Sequence, residues 1–351
     1  MSDTAADSIG ALKVGAYMDR DRVDWDQFVE QHASGTFFHL SGWQRVLKRA
    51  FGHQSHYLIA RAGDKTVGVL PLVRIKSFLF GDALISTPFC VYGGPLAATG
   101  AVRTALEDAA AKLSLDLGVD YLEMRNRARA RSDWPVKNLY FTFRRTLDPD
   151  PEKNMLAIPR KQRAEVRAGI KSGLIVDFDA RLDRFYAIYS ESVRNLGTPV
   201  FSRKYFEVLR EEFAERCEIA TIVHRQEPVT SLMTFWFRDE VLPYYGGGLA
   251  AARPLSAYDF MYWDLMRRAC ERGVRIFDFG RSKADTGPYR YKKHWGFEPE
   301  PLNYEYCLGK SGELPNLSPT NPKYGLFVRA WQRLPLGVSR WLGPKISRYL
   351  G

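Results

Sequence analysis

One stretch of the sequence concentrates side chains able to do chemistry. Asp278-Phe279-Gly280-Arg281 closes an apolar run, and Tyr289 and Tyr291-Lys292-Lys293-His294-Trp295-Gly296 follow shortly after. Lys292 lies in a Tyr/Lys/Trp/Gly cluster that suits a cation beside a desolvated cleft. Arg290, Lys292 and Lys293 also read as a basic surface loop. Asp278 is suited to accept a proton or orient an amine, and equally to cap a loop or pair with Arg281. The phenols of Tyr245 and Tyr289 are able to hydrogen-bond a reacting carbonyl, although tyrosine is also an ordinary strand and core residue. Gly246-Gly247-Gly248 allows positive φ and close backbone approach, useful for aiming an N–H at a carbonyl, and fits a simple bulge as well. A covalent nucleophile is not signalled: there is no Gly-x-Ser-x-Gly and no recognisable Cys–His pairing.

A second group of residues could bind anions. Arg160, Arg163, Arg167 and Lys171 recur at spacings of three and four, which places them on one helical face. Such a stripe suits phosphates, or is a solvated face. His53 and His56 have no cysteine or acidic partner at metal spacing, so no metal site is expected. Cys90, Cys217, Cys270 and Cys307 form no Cys-x-x-Cys pair and read as free thiols.

The elements that must position these residues repeat. Tyr92-Gly93-Gly94-Pro95-Leu96-Ala97 recurs as Tyr245-Gly246-Gly247-Gly248-Leu249-Ala250. Each copy follows an apolar run. Each precedes a helical pattern, 102–117 or 257–272, stopped by Gly118 or Gly273, and then a strand, 119–125 or 274–281. Four matched features in one order indicate duplicated domains. The halves should superpose, each with its Tyr-Gly-Gly strand near the centre of a sheet. The first half reads as strands near 13–17, 56–61, 66–75 and 140–147, with helices at 25–32 and 42–51. Asp148-Pro149-Asp150-Pro151 reads as a linker. The second half reads as helices at 160–172, 182–194 and 203–216, with strands at 174–178, 218–224, 228–237, 241–246, 276–279 and 303–308. Expected bounds are 1–150 for an N-terminal domain, 151–317 for a C-terminal domain carrying the site, and 318–351 for a tail. The fold class is α/β, or mixed α+β, with twisted mixed sheets flanked by helices.

Composition agrees with a folded, two-domain chain. It has 351 residues, 45% hydrophobic, 26% charged and 13% aromatic. The N-terminus has acids where a signal peptide needs bases, and the charge-free run 83–102 is broken by Pro88, Gly93, Gly94 and Pro95, so a cytoplasmic location is expected. The net charge of +11 points to anionic partners such as RNA, a nucleotide-bearing substrate or acidic lipid, or to solubility alone. The tail from Leu314 has no acid; its arginines and lysines alternate with Phe327, Trp331, Leu334, Trp341 and Ile346. It suits an interfacial anchor with Trp331 and Trp341 at headgroup level, split by Pro335 and Pro344, or a segment docked on the body.

Asp278-Phe279-Gly280 and the aromatic-Lys-x-x-aromatic-Gly pattern of 291–296 resemble the FemAB family, within the acetyltransferase-like (GNAT) superfamily. The resemblance spans most of the chain and implies tandem acyl-CoA N-acyltransferase-like domains. Ile158-Pro159-Arg160-Lys161-Gln162-Arg163, Pro322–Tyr324 and Trp331–Leu336 are similar to the branch found with exosortase/PEP-CTERM and exopolysaccharide systems. The implied activity is acyl or aminoacyl transfer to a cell-envelope or exopolysaccharide precursor by direct attack of an amine or hydroxyl. Lys292, Asp278, Tyr289 and Tyr245 become the implied catalytic set. Arg160, Arg163, Arg167, Gly247, Arg281 and Tyr291 become the implied substrate-binding set. No cofactor is expected to be permanently bound; the donor is aminoacyl-tRNA or an acyl thioester. Ala251-Ala252-Arg253-Pro254-Leu255-Ser256 stands where acetyltransferases carry their acetyl-CoA loop, which argues against acetyl-CoA itself. The alternative is a non-catalytic binder of RNA or lipid-linked sugar.

Overall fold

Pairing between strands, traced in the computed structural model, repeats one plan twice. Residues 11–78, 80–310, 312, 314 and 322–351 are described. The first ten residues, used above to argue against a signal peptide, and most of 311–321, where the tail was expected to begin, lie outside the described residues. In the first half the order is Leu12–Ala16, Leu58–Ala62, Lys65–Leu70 continued past Pro71 as Leu72–Ser77, Gly81–Ser86, Tyr121–Asn126 and Asn303–Leu308. In the second half it is Ile175–Phe178, Cys217–His224, Glu227–Phe237, Glu240–Gly248, Ile276–Asp278 and Tyr140–Thr146. In each, Gly81–Ser86 with Tyr121–Asn126, or Glu240–Gly248 with Ile276–Asp278, is parallel, and the other neighbours are antiparallel. A helix crosses between the parallel strands, Gly100–Leu117 or Ala257–Glu271, as parallel pairing requires. Pro71 interrupts the first half's ladder, which is divided into a four-stranded and a six-stranded sheet.

The last strand of each half is exchanged. Tyr140–Thr146, expected to close the first half, pairs with Ile276–Asp278 in the second. Asn303–Leu308, expected to close the second, pairs with Tyr121–Asn126 in the first. Side chains explain the exchange. Phe143 is fully buried in the second half's core. The hydroxyls of Tyr304 and Tyr306 donate to the Val91 carbonyl and the Glu123 carboxylate, both in the first half.

Other expectations need correction. Tyr92-Gly93-Gly94 is a loop, not a strand; only Tyr245-Gly246-Gly247-Gly248 lies within one. The supposed linker starts a helix, Pro151–Ala157, because Asp150 caps it through the Glu152 N–H and Pro151 fits its first turn. The supposed basic loop is a helix, Gly287–His294. The tail forms helices Pro322–Gln332 and Leu336–Ser347; Pro344 lies inside the second, so only the region of Pro335 divides them. Trp331 is 2% exposed and packs into the body, which removes it from any headgroup role.

Between the halves, helix Gly42–Phe51 lies against Arg203–Phe213. A Cβ at Gly42 would stand 2.8 Å from the Phe213 ring, and Arg45 Nε donates to Glu212 at 2.9 Å. Phe37 stacks on Phe235 and touches Phe213, joining both halves in one core. With strands exchanged and a core shared, the chain should unfold in one cooperative transition. Coincident melting by calorimetry and far-ultraviolet circular dichroism checks this; two separable transitions would show independent halves.

Candidate active site

Strand Ile276–Asp278 ends at the seam between the halves. Its register sets Asp278 opposite Arg144. Asp278, 1% exposed, accepts the Gly280 N–H at 2.7 Å and the Thr142 hydroxyl at 3.5 Å on one oxygen. The other oxygen accepts the Tyr92 hydroxyl at 3.0 Å and pairs with Arg144 Nε at 3.2 Å. Arg144 also pairs with Glu240 on the neighbouring strand. A buried carboxylate is tolerated here because each oxygen is compensated. Arg281, a possible partner by sequence, instead donates to the Tyr304 hydroxyl at 2.8 Å and lies 4.6 Å over the Tyr140 ring.

Helix Gly287–His294 presents Lys292 to the turn that follows Asp278. Tyr291 and Trp295 fasten the helix by donating to Asp259 at 2.8 and 3.2 Å, and Gln162 donates to the same oxygen. Tyr291 is thus a structural clamp between helices. Gly296, at φ +79°, ends the helix against Pro159, where a Cβ would meet the ring at 3.0 Å. Lys292 is 9% exposed, not a surface lysine. Its Nζ donates to the carbonyls of Gly280 at 3.0 Å and Arg281 at 3.2 Å, with the Phe143 and Phe279 rings 5.3 and 5.9 Å away. Burial pushes the Lys292 ammonium down to about 7, against the opposing attraction of Asp278.

The remaining expected residues divide. Tyr289 stands edge-on to Phe143 at 5.3 Å and so shares that ring with Lys292. Tyr245 is separate: its hydroxyl pairs with that of Tyr205 at 2.8 Å, among Tyr189, Phe201 and Phe206. Gly247 has no positive φ; it admits the helix Asp183–Asn195, since a Cβ would stand 2.8 Å from Ser192 Cβ. Helix Arg160–Lys171 buries Gln162, Val166 and Gly169, leaving Arg160 and Arg167 exposed and Arg163 half-buried. None of the three arginines has an ion pair among the described residues.

Sequence reasoning missed the role of the loop 87–94. Thr87 and Phe89 adopt φ +45° and +67°, a conformation a bulky residue holds only when its surroundings enforce it. The enforcing contacts come from both halves. Tyr244 donates to the Phe89 carbonyl, Arg125 to Cys90 and Tyr304 to Val91, each at 2.8 Å. His39 Nε2 donates to the Gly94 carbonyl at 2.9 Å; burial pushes its pKa down to about 4, so it stays neutral. The repeated Tyr-Gly-Gly was the available signal.

Glu240–Gly248 pairs with Ile276–Asp278 only through Glu240 and Val241, and a register shift opposite Met233/Thr234 bulges the strand at Tyr244. Beyond Val241 no strand covers that edge among the described residues. A cavity of about 770 Å³ in the first half is lined by Asp19, Arg22, Gln44, Arg45, Lys48, Gln54, Ser55 and His56 among others. Ser55 Oγ and His56 Nε2 are buried without a partner. Phe51 stacks on Tyr205 at 4.8 Å, and Tyr205 reaches Tyr245, so an aromatic wall joins this region to the bulged strand.

Strand plan and bulge define a tandem GNAT-type fold. Residues 158–293 match the acetyltransferase (GNAT) domain family. The chain is similar to the crystal structure of FemX, with a TM-score of 0.65 at 14% identity, covering 90% of this chain and 100% of that one. It is also similar to the C-terminal domain (DUF2156) of a putative lysylphosphatidylglycerol synthetase from Agrobacterium fabrum, with a TM-score of 0.57 at 12% identity and coverage of 83% and 92%. A tandem GNAT protein from the clavulanic acid biosynthesis pathway superposes with a TM-score of 0.52 at 14% identity and coverage of 87% and 100%. No curated protein matches the sequence.

Arg144→Met strands two buried carboxylates and should cost about 3 kcal/mol or more in urea denaturation; a loss within about 0.5 kcal/mol, as at an ordinary surface site, would show that the network is solvated. Lys292 adds a pH signature. Its folded pKa of about 7 lies below the ordinary lysine range, so between these values the unfolded chain binds more protons and stability rises with pH. Below about 7 both states are protonated, and this group adds no further change. The wild type should gain stability from pH 7 to 10 relative to Lys292→Met, measured as paired urea midpoints; parallel curves would contradict the shift.

Proposed function

We propose that the chain is an acyl- or aminoacyl-transferase that joins an activated acyl group to an amine or hydroxyl of a cell-envelope or exopolysaccharide precursor. The observation that carries this is Lys292, a buried amine gripped by the Gly280 and Arg281 carbonyls beside the Phe143 and Phe279 rings, where burial lowers its pKa to about 7. Direct acyl transfer requires the acceptor to lose a proton, the oxyanion to be stabilised and both substrates to be aligned. The ammonium form of Lys292 stabilises the oxyanion, and as the tetrahedral intermediate collapses the acceptor's proton leaves with the departing tRNA hydroxyl or thiol. Asp278 holds the loop whose carbonyls grip Lys292 and acts as a positioning residue, since its oxygens already serve four groups. Tyr289 borders the same ring wall.

The donor is an aminoacyl-tRNA or an acyl thioester. An extended, amide-bearing thioester suits the uncovered edge of Glu240–Gly248, where it would add as a strand. A tRNA suits the unpaired Arg160, Arg163 and Arg167. On the acceptor side, the first-half cavity is lined by charged Asp19, Arg22, Arg45 and Lys48 together with polar Gln44, Gln54, Ser55 and His56. Burial lowers the pKa of both His53 and His56, and Lys48 has no ion pair among the described residues. Three cations to one carboxylate, with amide and hydroxyl groups between them, suit sugar hydroxyls beside an anionic group. A precursor of the exosortase/PEP-CTERM-associated kind fits, as would work on the cytoplasmic face of the membrane.

The rival reading, a non-catalytic binder of RNA or lipid-linked sugar, is favoured by one observation, the saturation of Asp278. Mass spectrometry of molecules retained by the purified protein, followed by single-turnover assays with charged tRNA and acyl thioesters, separates the two. Lys292→Met should lower turnover by roughly 100-fold or more and abolish the inflection near pH 7 in the wild-type rate profile. Unchanged turnover in the variant removes Lys292 from the mechanism; retained ligand without transfer from any donor supports the binder.

A further inference from the structure

The two C-terminal helices leave large apolar side chains on their outer surfaces. Leu336–Ser347 turns its small residues inward: Ser339 is fully buried, Ser347 Oγ donates to the Val200 carbonyl at 3.0 Å, and a Cβ at Gly343 would stand 2.8 Å from Val200. Two of its large apolar residues face out, Val338 41% and Trp341 65% exposed, while Leu336, Leu342 and Ile346 are half-buried. Pro322–Gln332 buries Trp331 yet leaves Leu326 64% and Phe327 38% exposed. A helix stabilised only by docking would do the reverse.

Charge is sorted in the same direction. Arg340 donates inward to Ser190 Oγ at 2.8 Å, and Arg348 donates inward to the Phe51 carbonyl. Arg329, Arg333 and Lys345 carry no ion pair among the described residues, and Lys345 Nζ lies 3.6 Å over the Trp341 ring. No acid occurs from Leu314 to the end of the chain. A protein partner would have to supply acids opposite each of these cations and apolar groups opposite each ring. A bilayer of anionic phospholipid supplies both over its whole surface.

We propose that this outer face docks the protein on anionic phospholipid membranes. Leu326, Phe327, Val338 and Trp341 enter the headgroup boundary, and the indole keeps its N–H hydrated there. Arg329, Arg333 and Lys345 meet lipid phosphates. The contact is peripheral: no described helix is long and apolar enough to cross a membrane. This does not depend on the transferase reading.

Deleting the tail would uncover the Trp331 site and confound the test, so exposed residues of the full chain are substituted instead. The probes are vesicles of phosphatidylcholine alone and of phosphatidylcholine mixed with phosphatidylglycerol. The wild type should co-sediment with the anionic vesicles, and salt should release it. Leu326→Ser/Trp341→Ser and Arg329→Gln/Arg333→Gln/Lys345→Gln should each bind roughly tenfold more weakly or worse, with unchanged circular dichroism melts. Absence of binding, equal binding to neutral vesicles, or undiminished binding by both variants overturns the proposal. A dimer in analytical ultracentrifugation that Leu326→Ser/Trp341→Ser converts to monomer, without vesicle binding, would reassign the face to a second copy of the chain.

Discussion

The Asp278 carboxylate takes contacts from the loop 87–94, from strand Tyr140–Thr146 and from its own following turn. Taking such a charge out of water costs several kcal/mol unless each oxygen is compensated. Compensation is possible only because strand Tyr140–Thr146 has crossed into the second half and brought Thr142 and Arg144 alongside. Tyr92 then closes the node from the first half, so the carboxylate is buried only when both halves are assembled.

The lysine depends on this node. Asp278 accepts the Gly280 N–H and so fixes a turn whose carbonyls, at Gly280 and Arg281, point to Lys292. Carbonyls, a distant carboxylate and two aromatic rings hold the ammonium less well than water does, and its pKa falls toward 7. Helix Gly287–His294 keeps the lysine there because Tyr291 and Trp295 clamp its other face to Asp259. One short sequence pattern therefore combines an anchor with the lysine proposed to act in transfer. A lysine placed this way changes charge in the range where acyl transfer needs both a cation and a proton acceptor.

Much of the architecture was legible in the sequence. Helix Gly42–Phe51 and strand Asn303–Leu308 fall at the expected bounds, because glycine stops and apolar periodicity are local signals. The strand exchange was not legible: Tyr140–Thr146 and Asn303–Leu308 carry the same alternation whichever sheet receives them, and only the partners of their tyrosines and arginines decide. At Gly247 the sequence allowed positive φ, close approach or a bulge, and could not separate a glycine needed for φ from one that admits a helix, as this one does. Lys292 was legible as a candidate through its aromatic neighbours, but its burial was not, because the helix that carries it is short and basic. Arg144 and Glu240 gave no signal at all; they are ordinary charges in strand-like runs until the register sets them against Asp278.

The proposed chemistry depends on the protonation of one amine, Lys292 Nζ. Titrating the Lys292 side chain by nitrogen-15 or carbon-13 nuclear magnetic resonance, with the resonance assigned by its loss in Lys292→Met, measures this without any substrate. A midpoint near 7 agrees with a desolvated lysine gripped by the Gly280 and Arg281 carbonyls. A midpoint in the ordinary lysine range, near 10.4, would mean that water reaches the amine, and the assignment of the seam as a reaction centre would fall with it.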